Sequence, residues 1–370
     1  MIDVSAVLKN YDLNNLTIGT LGGHSALDVC YGAKKLGLKT VVVAQKGREK
    51  TYERYYKTHG DRGIVDHVIV VDKFADIISV QDQLRKLNTL FVHSRYFWVY
   101  CSFHEIENNF YVPIIGNRAL LKAEERTVPN NQYVLLQNAG IRFPRIFTSK
   151  NDIDRLVLVK ANEAQRSYER AFFLASSPED FDKRAAELLN RGVITSEGLH
   201  KAVIEEYVVG AAINFNYFYS PLSGKLELMG TDMRRQTNID GILRLPAPEQ
   251  IEVLRHVQQK FVETGHVAVT IKESLLEKVF ELGERFVKVT QELYHPGILG
   301  GFALQGAVVA EHNKEDIVIF DCSLRIPGSP GSMFTPYSGY LHGTPMSYGE
   351  RIAKEVKDAV RENKLGLLCT

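Results

Sequence analysis

The sequence has few cysteines, and their spacing excludes the usual cysteine-based sites. Only four occur in 370 residues, at Cys30, Cys101, Cys322 and Cys369. None belongs to a CxxC pair, so we expect neither a zinc site nor a disulfide framework. A reducing cytoplasm fits this cysteine usage best.

Long apolar runs and an excess of charge are also missing. No apolar run approaches the roughly 20 residues of a membrane-spanning helix, and residues 1–15 lack the apolar core of a secretory signal. The 45 lysines and arginines balance 44 aspartates and glutamates, which gives a formal net charge of +1. No global field therefore steers the chain to other charged surfaces, and we expect neither a nucleic-acid nor a membrane partner.

The first third of the chain alternates short apolar runs with a helical pattern. Leu16–Leu21 and Lys39–Ala44 have the composition of buried strands, and the residues between them carry apolar side chains at helical spacing up to Gly37. A strand, a helix and a strand within about 30 residues form a βαβ unit. This pattern predicts an α/β domain built on a parallel sheet.

The last two thirds are predicted to be α+β with antiparallel sheets. Residues 204–220 form either one long strand or two strands interrupted at Gly210, and Pro221–Gly224 turns the chain into an antiparallel partner. Ser347–Glu350 matches a capping box ahead of a final helix.

Three loops follow strands of the predicted parallel sheet. Gly22–Ser25 joins a strand to a helix, a place where backbone amides, His24 and Ser25 could donate hydrogen bonds to an anion. Ser94 and Gly116 occupy similar positions after later strands. Each loop alone is more often an ordinary surface turn, but three loops at one edge of a sheet favour a ligand site.

A second hairpin places two oxygen ligands opposite each other. Gln305 and Asp321 are equidistant from Asn313 in a polar turn, so in that register their Cβ atoms would lie roughly 5 Å apart. Such a pair suits a Mg²⁺ ion that also binds phosphate and water. Ser323 and Arg325 share the face of Asp321 by strand alternation, and a solvated sheet face is the alternative.

Residues 156–181 have the frame of a nucleotide-phosphate lid. An apolar strand ends at Lys160, a polar connection follows, and a second strand precedes a helix that begins after Ser177. The connection contains no glycine. The acidic pair Glu205–Glu206 starts a later strand, where it could bind an adenine amine or ribose hydroxyls, or could simply be a polar strand start.

Several segments in this order resemble one family. They are TLGGHSAL, IENNFYVPIIGNR, IEEYVVG with NYFYSPL, TNIDGILRLPA, IKESLL and SYGERIAKEV. Together they are similar to the archaeal formate-dependent 5-formaminoimidazole-4-carboxamide ribonucleotide (FAICAR) synthetases of the ATP-grasp superfamily, from about Thr17 to Leu365. The resemblance implies an N-terminal α/β domain over 1–125, followed by α+β ATP-grasp domains with antiparallel sheets, namely a lid subdomain over 126–206 and a core domain over 207–370. It also implies a C–N ligase of purine biosynthesis that makes formyl phosphate from formate and ATP and transfers the formyl group to aminoimidazole carboxamide ribonucleotide (AICAR).

The resemblance also assigns site residues and ligands. AICAR would be bound by His24, Ser25, Ser94 and His266, with Arg95 and Tyr96 competing for the role of Ser94. ATP would be bound by Lys160, Glu205, Glu206, Val208 and Gln236. Gln305 and Asp321 would hold Mg²⁺ or Mn²⁺, and Arg325 would be catalytic. Small molecules would be the substrates, and a homo-oligomer is expected.

The chain departs from the family's pattern mainly on the ATP side. The lid lacks glycine, Val134 stands where an ATP-contacting lysine is usual, and Gln236 and Asp321 replace glutamates. His266 replaces a usual asparagine. Three hypotheses therefore remain: a FAICAR synthetase, a degenerate paralogue that binds an AICAR-like nucleotide or the active enzyme without turnover, and an ATP-grasp ligase for another amine.

Overall fold

The computed structural model describes residues 2–126, 128–161, 172–257, 262–311 and 313–370. Nearly all of the predicted lid connection, Ala161–Arg170, lies outside the described residues, and its flanking strands lie within them.

The described ranges contain fourteen strands and thirteen α-helices. The strands are β1 Thr17–Leu21, β2 Lys39–Gln45, β3 His67–Val71, β4 Thr89–Val92, β5 Ile114–Ile115, β6 Ile146–Phe147, β7 Val157–Lys160, β8 Phe172–Ala175, β9 Val203–Glu206, β10 Ala211–Ser220, β11 Lys225–Gln236, β12 Glu263–Ala268, β13 Gly300–Glu311 and β14 Lys314–Ser323. The helices are α1 Val4–Leu8, α2 Ala26–Lys35, α3 Gln81–Lys86, α4 Arg95–Tyr100, α5 Phe103–Asn108, α6 Gln132–Asn138, α7 Pro178–Asn190, α8 Ser196–His200, α9 Ile239–Ile242, α10 Ala247–His256, α11 Leu276–Leu293, α12 Tyr337–His342 and α13 Tyr348–Arg361. Within these ranges, no helix is both long and apolar enough to cross a bilayer.

The first sheet is parallel, as predicted. Its strand order is β3-β2-β1-β4-β5, and all four pairings are parallel. The turns after β1 and β4 therefore lie at the same edge of the sheet. The last strand, β5, has only two residues, because Gly116 takes a φ of 124° directly after Ile115 and Pro113 has no N–H for the ladder.

The other two sheets are antiparallel, which confirms the prediction for the last two thirds. One has the order β12-β11-β10-β13-β14 and the other the order β6-β9-β7-β8. Residues 204–220 form two strands, and Gly210 separates β9 in the smaller sheet from β10 in the larger one. Between the parallel sheet and α6, Leu121–Glu124 form a short 3₁₀ helix.

The hairpin of β13 and β14 confirms that Gln305 pairs with Asp321, although the reason given from the sequence is wrong. Glu311 pairs with Lys314, which centres the turn half a residue before Asn313. The register then shifts by one residue after Gly306, which pairs with Ile319. This bulge at Phe320 restores the predicted pair, since the extra residue offsets the different turn centre.

The two faces of the large antiparallel sheet have opposite roles. One face packs against α11 in an apolar core where Tyr217 stacks on Phe302 with ring centroids 5.0 Å apart. Phe286 of α11 stacks on the same Phe302 ring. Strand alternation turns Asn214, Asn216 and Gln305 to the other face, and this face lines a cavity.

The first and last parts of the chain are joined where α2 crosses the start of α13. The crossing is close because Gly32 and Gly349 lie at the contact. A Cβ atom on Gly349 would lie 1.9 Å from the carbonyl oxygen of Asp28, and one on Gly32 would lie 1.9 Å from the carbonyl carbon of Gly349. The Asp28 carboxylate also accepts a hydrogen bond from the Gly349 amide at 3.2 Å, while the predicted capping box of Ser347 and Glu350 is confirmed.

We predict that Gly349→Ala destabilises the protein by about 1–3 kcal/mol, because the new methyl group must push α13 away from α2. The free energy of unfolding from chemical denaturation measures this cost. Gly241→Ala is the matched control, since its Cβ would meet no atom within 4 Å. Equal stability of the two variants would contradict the close crossing.

Candidate functional site

A cavity of about 540 Å³ lies between the loops of the parallel sheet and the polar face of the large antiparallel sheet. This volume is in the range of small-molecule sites. The lining residues are His24, Arg95, Tyr96, Trp98, Val99, Tyr100, Glu124, Glu125, Arg126, Ala161, Phe172, Asn214, Asn216, Arg234, Val262, Glu263, His266, Ala303, Gln305, Asp321, Cys322, Ser323, Arg325, Pro327, Gly328 and Ser329. The predicted site residues His24, His266, Gln305, Asp321 and Arg325 are thus brought together from distant parts of the sequence.

A band of polar side chains crosses the floor of this cavity in strand register. Asn214 pairs with Asp232 on one side and with Gln305 on the other, and Gln305 pairs with Asp321. On β12, His266 pairs with Arg234 of β11. The register therefore connects Asp232 to Asp321 across four strands. His266 joins this band through its side-chain contact with Asp232, since the β12 residue that pairs with Asp232 is Ala268.

Asp232 holds the centre of this band. Its carboxylate is fully buried and accepts hydrogen bonds from Asn214 at 2.8 Å, from Asn216 at 2.6 Å and from His266. Burial alone would raise the pKa of Asp232, but the hydrogen bonds, led by that of His266, hold the pKa below its ordinary value. An ionised carboxylate thus orients three side chains of the cavity floor.

His266 lies between two carboxylates. Nδ1 contacts Asp232, and Nε2 lies 2.9 Å from the Oε1 atom of Glu263. Burial lowers the pKa of His266, but the hydrogen bonds to Asp232 and Glu263 outweigh this effect and raise the pKa to about 9. His266 is therefore an imidazolium near neutral pH, and both of its N–H groups are engaged within the protein.

His24 enters the cavity from the turn between β1 and α2. Its backbone has a φ of 41°, and the Ser25 hydroxyl donates to the Pro327 carbonyl at 2.9 Å, which ties this turn to the loop after β14. Gly328 lets that loop approach, because a Cβ there would lie 2.1 Å from the imidazole of His24. Burial, and then Arg325, lower the pKa of His24 to about 3, so the ring is neutral.

Ser94 lies at the same edge of the parallel sheet as His24, but it does not line the cavity. It is buried and caps α4, where its hydroxyl accepts from the Tyr96 amide at 3.4 Å. Arg95 and Tyr96 line the cavity. The structure thus places these two of the three competing residues at the cavity surface.

Arg325 lies between the two ends of the cavity and is buried. Its Nε atom is 3.5 Å from the Oε1 atom of Glu124, which is equally buried and accepts from the Leu324 amide at 2.7 Å. Burial lowers the pKa of Arg325, and the nearby Glu124 carboxylate opposes this effect. The guanidinium remains a cation at neutral pH, since arginine starts from a very high pKa.

A second charged cluster adjoins the Asp321 end. Lys160 is buried at the end of β7, with Nζ 2.5 Å from the Oε1 atom of Glu205 and 3.4 Å from the bulged Phe320 carbonyl. The Tyr133 hydroxyl donates to the other Glu205 oxygen at 2.8 Å. Arg126 is close enough to interact with Tyr133, Glu205 and Asp321. Burial lowers the pKa of Lys160, while Glu205 raises it.

None of the five predicted ATP-binding residues lines the cavity itself, and three of them also lie outside the Lys160 cluster. Glu206 points away from Glu205 by strand alternation and lies 3.3 Å from Arg155 on the surface. Val208 follows β9. Gln236 ends β11, where its backbone N–H donates to the Asp240 carboxylate at 2.5 Å. Lys160 and Glu205 thus adjoin the cavity through the Phe320 carbonyl and Arg126 without lining it.

The Asp321 end fits a Mg²⁺ ion only in company with a bound nucleotide. Gln305 Oε1 accepts a hydrogen bond from Arg234 at 2.6 Å, which leaves this oxygen a second acceptor direction. Across the described residues, no group of three or more histidine, cysteine, aspartate and glutamate side chains could hold a metal ion. Gln305 and Asp321 would therefore supply two oxygens, and phosphates and water the rest.

Several cavity residues were missed by the sequence analysis. Asn214 and Asn216 alternate with aromatic residues in NFNYF, a period of two that would have placed both on one polar face. Asp232, Arg234 and Glu263 had no such signal, because their proximity depends on how β11 pairs with β10 and β12.

We predict that His266 makes stability depend on pH between about 6.5 and 9. Its pKa of about 9 in the folded protein exceeds the ordinary 6.5, so its stabilising effect is complete below pH 6.5 and is lost as pH rises through 9. The difference is about 3 kcal/mol at most. Urea unfolding of the wild type and His266→Asn across this range measures it, and parallel stability profiles would contradict the buried imidazolium.

Comparison with known proteins agrees with this architecture. Two family models match the chain. One is described as a protein of unknown function (DUF1246) and matches residues 18–147, and the other is described as a domain of unknown function (DUF1297) and matches residues 180–370. The structure of the IMP biosynthesis protein PurP from Thermococcus kodakaraensis superposes on this chain with a TM-score of 0.71 and 26% sequence identity. The match covers 95% of this chain and 100% of PurP. The ADP complex of N5-carboxyaminoimidazole ribonucleotide synthetase (purK) matches with a TM-score of 0.59 and 14% identity. The match covers 90% of this chain and 78% of that protein. At this identity, the likeness shows a shared fold alone.

Curated relatives have the same name from several archaea. The 5-formaminoimidazole-4-carboxamide-1-(β)-D-ribofuranosyl 5′-monophosphate synthetase of Methanocaldococcus jannaschii is 40% identical over 364 residues, which is 97% of this chain and 96% of the relative. That of Methanothermobacter thermautotrophicus is 38% identical over 373 residues, 100% of this chain and 98% of the relative. With this identity over almost its whole length, the chain belongs to the archaeal FAICAR synthetase family.

Proposed function

We propose that this protein is an ATP-dependent ligase that formylates AICAR to FAICAR with formate, in the biosynthesis of IMP. Family membership at 40% identity over nearly the full length supports the proposal. The observation that carries it is one cavity whose polar floor runs from His24 and His266 to Asp321, next to Lys160. Such a cavity can hold a nucleotide at one end and ATP phosphates at the other.

The reaction has two steps that the same charges would assist. A formate oxygen attacks the γ-phosphorus of ATP, and ADP leaves, which gives formyl phosphate. The 5-amino group of AICAR then attacks the formyl carbon, and phosphate leaves as the C–N bond forms and the amine loses a proton. Negative charge is transferred through the middle of the cavity in both steps, where fixed cations stabilise it.

Three cations occupy suitable places for this charge. Lys160 would contact ATP phosphates after leaving Glu205, and Arg126 interacts with the same cluster. Arg325, between the two ends, would face the migrating phosphoryl group. Bound Mg²⁺, held by Gln305 and Asp321, would supply further positive charge to the phosphate oxygens.

The catalytic function is favoured over a degenerate paralogue because the ATP side keeps its buried charges. Lys160 and Glu205 are both buried and paired, and Arg126 supplies a cation on the side where Val134 supplies none. Maintaining such a desolvated cluster costs stability. In a chain that no longer binds ATP, replacing this charged cluster with apolar residues would increase stability.

Two further properties belong to the proposal. Cys30, Cys101, Cys322 and Cys369 are all free thiols, which fits the reducing cytoplasm. Assembly into a homo-oligomer remains a prediction from the family resemblance.

We expect purified protein with ATP, Mg²⁺, formate and AICAR to release ADP, and to release almost none when AICAR or formate is omitted. A coupled ADP assay and chromatographic detection of FAICAR measure the reaction. Absence of turnover, together with AICAR binding and no ATP binding by calorimetry, would instead establish the non-catalytic paralogue.

We expect Asp321→Asn to weaken Mg²⁺-dependent ATP binding by about 10- to 100-fold, since a charged oxygen contact contributes about 1.5–3 kcal/mol. Calorimetric titration with a non-hydrolysable ATP analogue, with and without Mg²⁺, measures this. Glu315→Gln is the control, because Glu315 lies on the same strand but bonds to the surface Lys272. Unchanged Mg²⁺ dependence in Asp321→Asn would reject the metal assignment.

A further inference from the structure

Glu263 is a carboxylate that faces the cavity, although no sequence signal marked it. It lies at the start of β12, and its side chain is 24% exposed, against 9% for His266 and 0% for Asp232. In the series Asp232, His266 and Glu263, the first member is sealed in the sheet and the last borders the cavity. Glu263 is therefore the most exposed member of this chain of contacts, although His266 also borders the cavity.

His266 has no N–H group to offer a ligand while this arrangement holds. One ring nitrogen bonds to Asp232 and the other bonds to Glu263 at 2.9 Å. A contact between His266 and a ligand would leave one of the two carboxylates without its partner, which is costly for a buried charge. His266 thus acts on the cavity through Glu263.

Glu263 is also held from a second side. Its Oε2 atom lies 2.9 Å from the Nε atom of Arg234, and Arg234 is itself fixed by its bond to Gln305. A carboxylate offers about four acceptor directions. The hydrogen bond from His266 uses one of them, and the ion pair with Arg234 lies on the other oxygen. The exposed part of the side chain leaves acceptor capacity on the cavity side.

The charges around Glu263 balance. Arg234 and His266 carry two positive charges against the two negative charges of Asp232 and Glu263. Burial raises the pKa of Glu263, but His266 and Arg234 outweigh it and hold the pKa far below its ordinary value. Glu263 can therefore accept strong hydrogen bonds as a carboxylate, and the balanced cluster does not repel the phosphate of a nucleotide.

We infer that Glu263 binds the substrate nucleotide by accepting hydrogen bonds from its O–H or N–H donors, and that His266 is a positioning residue that holds Glu263 in place. This inference rests on the proposed function, in which AICAR occupies the His24 end of the cavity. AICAR carries three kinds of neutral donor, namely the ribose hydroxyls, the 5-amino group and the carboxamide. Carboxylates accept from ribose hydroxyls in other nucleotide sites, and all three donors share the required chemistry.

The test is calorimetric binding of AICAR to the full-length protein without ATP, so that turnover is not needed. We expect Glu263→Gln to bind AICAR about 10- to 100-fold more weakly than wild type, with an unchanged affinity for the ATP analogue. Glu249→Gln, an exposed change on α10, is the control and should bind AICAR like wild type. Glu263→Asp, which keeps the charge but shortens the side chain, should also bind weakly and serves if Glu263→Gln does not fold.

A double-mutant cycle tests the positioning role of His266. Because His266 acts through Glu263, His266→Asn should weaken AICAR binding in the wild-type background and have little further effect in Glu263→Gln. In turnover, each single variant should raise the KM for AICAR more than it lowers kcat. Independent, additive losses in the cycle would overturn the positioning role.

Substrate analogues distinguish the three donors. If the ribose hydroxyls are bound, wild type and Glu263→Gln should bind the 2′,3′-dideoxy analogue of AICAR equally. If the carboxamide is bound, they should bind 5-aminoimidazole ribonucleotide equally, because it lacks that group. A difference that persists with both analogues identifies the 5-amino group.

Two negative results have different meanings. Equal AICAR affinity of wild type and Glu263→Gln overturns the role of Glu263 and leaves the proposed function intact. Failure of the wild type itself to bind AICAR overturns the proposed function and this inference with it.

Discussion

The cavity depends on one buried ion, the carboxylate of Asp232. A carboxylate without solvent access is stable only if donors surround it, and Asn214, Asn216 and His266 supply them from β10 and β12. The donors are thereby fixed in orientation, and His266 transmits this constraint to Glu263 at the cavity surface. Asp232 thus converts the pairing of three strands into a defined polar floor, which is the preorganisation that a binding site for a polar nucleotide requires.

Apolar packing on the other face of the same sheet offsets the free-energy cost of burying the polar floor. Tyr217 and Phe302 stack directly beneath the strands that carry Asn216 and Gln305, and α11 covers them with a large apolar surface. The close crossing of α2 and α13 adds a second constraint, because it sets the position of the parallel sheet, and hence of His24, relative to the floor. The geometry of the polar floor therefore depends both on the hydrogen bonds of Asp232 and on the packing of α11, α2 and α13.

Much of the architecture could be predicted because it depends on local patterns. The βαβ unit, the antiparallel hairpins and the cap at Ser347 all follow from periodicity and turn chemistry, whereas the break at Gly210 was one of two alternatives that the sequence left open. The pairing of Gln305 with Asp321 was also predicted, but only because a bulge at Phe320 compensated for a misplaced turn centre. Bulges add a residue without a reliable sequence signal, so the register beyond a turn is weakly determined by the sequence.

The sequence by itself determined the fold class, the family resemblance and the loop that carries His24. Only the tertiary structure decided that Glu263 lies at the cavity, that Glu206 and Gln236 lie outside it, and that both nitrogens of His266 are engaged. The physical reason is that periodicity reports which face of an element is polar, whereas partnership between charged groups depends on strand register and on the packing of distant segments. Glutamates are common on protein surfaces, and partial burial beside Arg234 and His266 is what distinguishes Glu263 from the others.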